Sequence, residues 1–491
     1  MIRNLLLSLF FVILAVGLSP LNASESNDSG ELVPYPAKEI RDKIRGGLVG
    51  QIFANLNGLK HENRYLKEPG RVTEYVPSLP DGAETDDDTD VEWVYLVAMQ
   101  QHGLYVPHEI LADKWRASIN SHIWCSHRYV RYLLDLGIST ELTGMEEINP
   151  WAEFNIAGQF VSEMFALVSP CMPQSASRLG TYYTSIAVDE EPLQATQLFD
   201  TMIALAFTAD DLTALLDAGQ AAVDPNSKVA EVVKNVRAWS AEFPDDWTKT
   251  RKRIHETYTK NNDNIRDFNG YELNTAATLA SLIYGKGDYV QTAIHAFNFG
   301  WDADNTAAAA GTIVGVMRGG EWFKEQGWEI KDVYKNTRRE NMPLDETITS
   351  YGDRLIELAE KQILASGGKI SEDVYWIPKQ KPLNILSLAQ RSQTKEKKLA
   401  HLRNTLLHAA DSVETDLSLT PAGMAYLAIC LGINEKIETK NPAKWRSDLA
   451  ALNAEDAFLN YIYGEKAVIP TLEACKRKLD AAGLQYVPRS K

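Results

Sequence analysis

Apolar residues recur at three- and four-residue spacings through residues 110–119, 198–206, 229–239, 276–284 and 353–364, the period that lines one face of an α-helix. Several of these stretches are apolar on more than one face, as the central helices of a large bundle must be. Strand-like alternation bounded by turn residues is scarce, so the chain reads as all-α. The pattern breaks at Ser366-Gly367-Gly368, and Trp376-Ile377-Pro378-Lys379-Gln380-Lys381-Pro382 follows as a non-helical connector. Helical patterning resumes from Leu383. We therefore expect a main domain over residues 35–368 and a C-terminal helical appendage over 383–491.

Residues 1–23 read as a secretory signal peptide: Arg3 near the start, an apolar run from Leu5 to Leu18, and small residues at Leu21-Asn22-Ala23-Ser24. The run is shorter than the roughly 20 residues a spanning helix needs. An exported protein, periplasmic or secreted and free of the membrane after cleavage, is expected. The balance of 50 Lys and Arg against 66 Asp and Glu, net −16, disfavours nucleic acid or anionic lipid as a partner. Four cysteines (Cys125, Cys171, Cys430, Cys475) are too widely spaced for a zinc knuckle or a redox pair, and their pairing is not deducible from spacing.

The stretch "DGAETDDDTDVEW" (81–93) gathers Asp86, Asp87, Asp88 and Asp90 just before an apolar run. Thr85 and Asp88 loosely fit a capping box, and acids suit a first helical turn. Adjacent carboxylates nevertheless repel unless something positive lies among them, and no Lys or Arg lies between Val72 and Gln101. An acidic helix start and a hard-cation site both fit, oxygen donors being what magnesium, calcium and manganese select. A second cluster, Asp302-Ala303-Asp304-Asn305-Thr306, opens a small-residue helix whose four alanines, Gly311 and Gly315 permit very close packing. Taken together, two such starts facing each other can hold one or two divalent ions, which lower the pKa of a shared water and orient hydroxyls.

At these motifs the chain resembles the ADP-ribosylglycohydrolase family, which includes the dinitrogenase reductase-activating glycohydrolases. The likeness is carried by "RGGLVGQIFANLNGLKHE" (45–62), by Asp86-Asp87-Asp88-Thr89, and by Asp302-Ala303-Asp304-Asn305-Thr306-Ala307-Ala308 with the preceding "NTAATLASLIYGKGDYVQTAIHAFNFGWDAD" (274–304). It extends through most of residues 38–368. The resemblance implies an all-α orthogonal multi-helix bundle with two Mg2+ or Mn2+ ions in a cleft, Asp86, Asp87 and Asp88 as ligands from one side, and Asp302, Asp304 and Asn305 from the other. Glu62 aligns with a family glutamate thought to act on water or shield the site, which makes Glu62 the first candidate for the catalytic base and Asp87 the second. The sequence departs from the family at Ala54-Asn55, where relatives carry Gly-Asp, at Asn305, where they carry a ligand threonine, and at Ser185-Ile186-Ala187-Val188-Asp189, where many carry Ser-His-Asp.

The implied activity is hydrolysis of an N- or O-ribosyl bond of an ADP-ribosylated substrate through an oxocarbenium-like transition state. In "NPWAEFNIAGQFVSEMF" (149–165), Asn155, Gln159 and Glu163 fall at four-residue intervals, one polar line along a helix. They are candidate substrate-wall residues, the alternative being a solvated face. Trp301 either stacks on a base or sugar ring or lies in the core. His122 and His127 flank Trp124 and Cys125 at a spacing that fits structural roles better than a soft-metal site. Two other readings stand beside the first: an exported furanoside hydrolase using the same metal cleft, and a non-catalytic protein that binds ADP-ribose or sugar.

Overall fold

The computed structural model describes residues 30–209, 211–261, 263–410, 419–464 and 470–488, so the expected signal peptide lies outside the described residues. The architecture is all-α, with 22 α-helices and a few short strands among those residues. The periodic windows fall in helices His108–Ser118, Glu190–Ala206, Lys228–Glu242, Tyr271–Gly285 and Ile348–Ala365. One expected helix is absent. Residues 149–165 form turns, a single 3-10 turn at Ile156–Gly158 and then the short helix Glu163–Leu167, so Asn155, Gln159 and Glu163 share no helical face. Among the described residues no helix is long and apolar enough to cross a membrane.

Two long helices, Ala37–Gly58 and Ala303–Arg318, run antiparallel in the centre of the main core. They touch through glycines. A Cβ on Gly50 would lie 2.4 Å from the Gly311 carbonyl oxygen, and one on Gly46 would lie 2.4 Å from that of Gly315. Only hydrogen fits, so the helices approach backbone to backbone. At the far end of the same seam a Cβ on Gly58 would lie 2.7 Å from the Asp304 Cα. The contact thus delivers the end of the first helix, and Glu62 just beyond it, to the acidic start of the second.

A third helix, Asp87–His102, is buried along almost its whole length. A two-residue parallel ladder, Ala83–Glu84 against Tyr334–Lys335, ties its entrance to a segment some 250 residues downstream. It continues through Thr85 N–H to the Lys335 carbonyl (3.0 Å) and Thr337 N–H to the Thr85 hydroxyl (2.9 Å). Thr85 is therefore spent on this junction and caps no helix. Asp86 occupies the N-cap position without a side-chain capping bond.

The connector after residue 368 contains a strand, Val374–Pro378, which pairs antiparallel with Leu32–Pro36. The helices beyond it share a second apolar core with residues of the main helical body, among them Tyr129, Leu133, Trp151, Leu406, Tyr426, Phe458 and Leu459. The Tyr129 and Tyr426 hydroxyls lie 2.7 Å apart inside it. Helix Leu388–Ala409 is fastened by Lys395, only 5 % exposed, whose ammonium lies 2.6 Å from Glu146, 3.4 Å from Glu147, 3.4 Å from Asp189 and 2.6 Å from Glu190. Arg391 adds a 2.6 Å contact to Asp189. All four cysteines are free.

Candidate metal centre

The two acidic helix starts meet. Asn305 donates its amide N–H to one oxygen of Asp88 (2.9 Å), while Asn55 donates to the other Asp88 oxygen (2.7 Å) and to Asp86 (3.2 Å). Carboxylate oxygens of Asp86, Asp88 and Asp304 lie within 4.8 Å of one another, and so do those of Glu62, Asp302 and Asp304. Asp304 belongs to both triplets, and its Oδ1 is buried without a hydrogen-bond partner. Such a donor set, oxygen-only and negatively charged, suits a hard divalent cation.

Positive charge reaches part of this cluster from Arg338 and Arg339, which the Ala83–Glu84 ladder carries in. Arg338 pairs with Asp86 at 2.7 Å and approaches Asp87 at 3.6 Å. Arg339 pairs with Asp90 at 2.6 Å, with neither side chain exposed to solvent. These arginines were not identified from the sequence, because they lie far from the aspartates along the chain and carry no motif. Among the described residues no Lys or Arg pairs with Glu62, Asp88, Asp302 or Asp304. Burial, followed by the charge of neighbouring carboxylates, drives the Asp88 and Asp304 carboxyls well above the ordinary range. For Asp302 the same causes, burial first and then Glu62, raise the pKa to about 7. Glu62 is also pushed upward, by burial first and then by Asp86. A carboxylate group this short of counter-charge needs protons or a cation.

The other expected site residues separate into distinct positions. Asp87 stays partly exposed beside Arg338 and belongs to neither triplet. Asn305 turns its N–H toward Asp88, and its amide oxygen accepts from Gln159 (2.8 Å); it bridges the two helix starts here rather than offering that oxygen to an ion. Gln159, fully buried, also donates to the Thr278 hydroxyl (3.1 Å) and so orients Asn305 instead of forming a substrate wall. Asn155 accepts from the Ser126 hydroxyl (2.8 Å) and donates to Asn269 (2.5 Å), which in turn donates to Asp302 (3.0 Å). That chain of amides aims the Asp302 carboxylate. Glu163 sits deep in the core next to Glu92, away from both triplets, because it opens the buried helix Glu163–Leu167.

Trp301 cannot stack on a ligand in this structure. Its ring is fully buried, its indole N–H donates to the Leu66 carbonyl (2.9 Å), and the Arg251 guanidinium covers one face at 4.4 Å from the ring centre. His127 is buried against Trp115 and Phe160, in keeping with a structural role.

Fold and site define the class: an all-α protein built around a buried centre of carboxylates contributed by facing helix ends. Residues 36–365 match the family model for ADP-ribosylglycohydrolases, and the chain belongs to that family. A solved structure described as an ADP-ribosylglycohydrolase-related protein complex is similar at 15 % identity, covering 66 % of this chain and 99 % of its own, with a TM-score of 0.43. No curated protein matches the chain. Membership of the family supports a glycohydrolase-type enzyme.

Proposed function

We propose that this chain is a divalent-metal-dependent glycohydrolase that hydrolyses the N- or O-ribosyl bond of an ADP-ribosylated substrate. The observation that carries the reading is the pair of carboxylate triplets sharing Asp304, in which Asp86 alone receives an arginine and Glu62, Asp88, Asp302 and Asp304 pair with no Lys or Arg among the described residues. Two Mg2+ or Mn2+ ions fit that donor set, with Asp86, Asp88, Asp302 and Asp304 as the residues that would hold them. When bound, they supply Lewis acidity and orient ribose hydroxyls. The chain's own residues do the rest. Asn55, Asn269 and Asn305 hold the carboxylates in place through N–H donation. Glu62, more open to solvent than Asp304, is the residue to which this reading gives the proton of the attacking water, with Asp87 as the alternative base.

The test is release of ADP-ribose from ADP-ribosyl-arginine and ADP-ribosyl-serine peptides, with and without EDTA. Turnover that EDTA removes, and that Asp302→Ala and Asp304→Ala abolish, supports the reading. A second reading, an exported furanoside hydrolase using the same centre, is favoured by one feature. The segment replacing the family's Ser-His-Asp holds Ile186 and Asp189 fully buried, with Asp189 clamped by Arg391 and Lys395, so neither touches a ligand. A panel of pentofuranosides in the same assay separates the two.

A further inference from the structure

Where the C-terminal helices meet the main body, a buried cluster of hydroxyls and thiols lies apart from the acidic centre. Tyr426, on helix Pro421–Cys430, donates its hydroxyl to the Ile148 carbonyl (2.6 Å), so the Tyr129 hydroxyl, 2.7 Å away, must donate to Tyr426. The Tyr129 oxygen is then left to accept, and the Cys475 thiol lies 3.5 Å from it. Hydrogen bonds therefore run from Cys475 through Tyr129 and Tyr426 to Ile148. Cys475 belongs to helix Pro470–Ala481, and its sulfur is also 4.0 Å from the Tyr426 hydroxyl.

A second thiol joins the cluster. Cys430 ends the helix that carries Tyr426, one turn further on and therefore on the same face. That helix and Pro470–Ala481 pack against each other. Burial pushes the Cys430 thiol up to about 12, with neighbouring Cys475 adding to the rise and a hydrogen bond with Tyr426 opposing it. Both sulfurs thus converge on one hydroxyl. They differ in access, since Cys475 is only 8 % exposed while Cys430 is partly open to solvent. Cys125 and Cys171 lie elsewhere, the first toward Asp302 and the second against Tyr35.

We propose that Cys430 and Cys475 form a modification site, a dithiol that a small-molecule disulfide oxidises to an intramolecular bond cross-linking the two helices. The more accessible Cys430 gives up its proton and attacks one sulfur of the reagent, releasing the first small thiol. Cys475 then loses its proton and attacks the Cys430 sulfur, releasing the second. The reagent takes up the two electrons and two protons that the cysteines lose. Closure sacrifices only the weak S–H bond to Tyr129, so Tyr129, Tyr426 and Ile148 stay linked and the last helix becomes fixed to the main body through them. Thiols that burial keeps protonated react slowly, and closure should accelerate as pH rises. Incubation of the native full chain with glutathione disulfide at mildly alkaline pH, followed by peptide mapping and thermal melts, tests the site. The expected product joins Cys430 to Cys475, is lighter by two hydrogen atoms and melts several degrees above the reduced chain; dithiothreitol reverses both changes. Cys430→Ser and Cys475→Ser should each keep the helical circular dichroism spectrum and lose the rise in melting temperature, whereas Cys171→Ser keeps the rise. A native chain still reduced after prolonged exposure, a lasting glutathione adduct on Cys430, a cross-link through Cys125 or Cys171, or a cross-linked chain that melts no higher overturns the proposal.

Discussion

Asp88 and Asp90 lie two residues apart on one helix and meet opposite electrostatic solutions. Asp90 has a fully buried arginine at 2.6 Å; Asp88 has only the amides of Asn55 and Asn305. Amides satisfy lone pairs without cancelling charge, so the repulsion among Asp88, Asp302 and Asp304 is left for protons or an ion to relieve. Asp304→Asn should therefore raise the melting temperature of the metal-free protein. The same variant should lose most of the stabilisation that Mn2+ confers, and paired melts in EDTA and Mn2+ read both effects. pH acts on the same group. The Asp302 carboxyl, raised to about 7, favours the folded state below its unfolded pKa, and that contribution is lost as pH rises through 7. Metal-free protein should thus melt lower at pH 8 than at pH 5. Mn2+ must displace the proton, so its affinity should rise with pH between 5 and 7; a flat affinity over that range would contradict this. In the sequence the aspartates stand out because they are adjacent. Arg338 and Arg339 do not, because a charge partner some 250 residues away leaves no local trace.

Helices are the part of this molecule that periodicity reveals best, since the apolar face is encoded within a few turns of chain. The glycine seam was half visible: the four alanines with Gly311 and Gly315 announce close packing, yet only the structure shows Gly46 and Gly50 as their counterparts. What misleads is the stretch 149–165. Polar residues at four-residue intervals match a helix, but each of Asn155, Gln159 and Glu163 is held by a different long-range or turn contact, and those contacts override the spacing. Trp301 misleads for a related reason, as an aromatic inside a ligand motif that packs backward under Arg251. The seam makes two predictions at the scale of helices. Gly50→Ala gains about 1 kcal/mol of helical propensity but drives a methyl into the Gly311 carbonyl, where overpacking costs about 1–3 kcal/mol and more against backbone. A net loss of stability is expected by denaturant titration. Gly58→Ala forces Asp304 aside, and a fall of at least tenfold in Mn2+ affinity with an intact far-ultraviolet circular dichroism spectrum is the expected readout.

The family match ends at residue 365, yet the chain beyond it is not an independent tail. Its helices complete a core that begins with Tyr129 and Trp151, and Tyr461 packs 5.6 Å from Tyr132 of the main body. Lys395 is the fastening. Its four carboxylate neighbours come from two segments of the main body, so removing the ammonium leaves Glu146, Glu147, Asp189 and Glu190 close together with Arg391 still paired to Asp189. Breaking a buried ion pair by deleting one partner costs about 3–5 kcal/mol. Lys395→Met should therefore lower stability by that order and loosen the C-terminal helices first, seen as faster amide exchange in residues 388–464 than in the glycine seam. Acid tests the same clamp from the other side. Burial works to raise the Asp189 pKa, but Arg391 and Lys395 prevail and hold it below the usual carboxylate range. Its stabilising contribution is complete above the unfolded value near 4 and is lost as pH falls through the folded one. The melting temperature of the native chain should drop more steeply below pH 4 than that of Asp189→Asn.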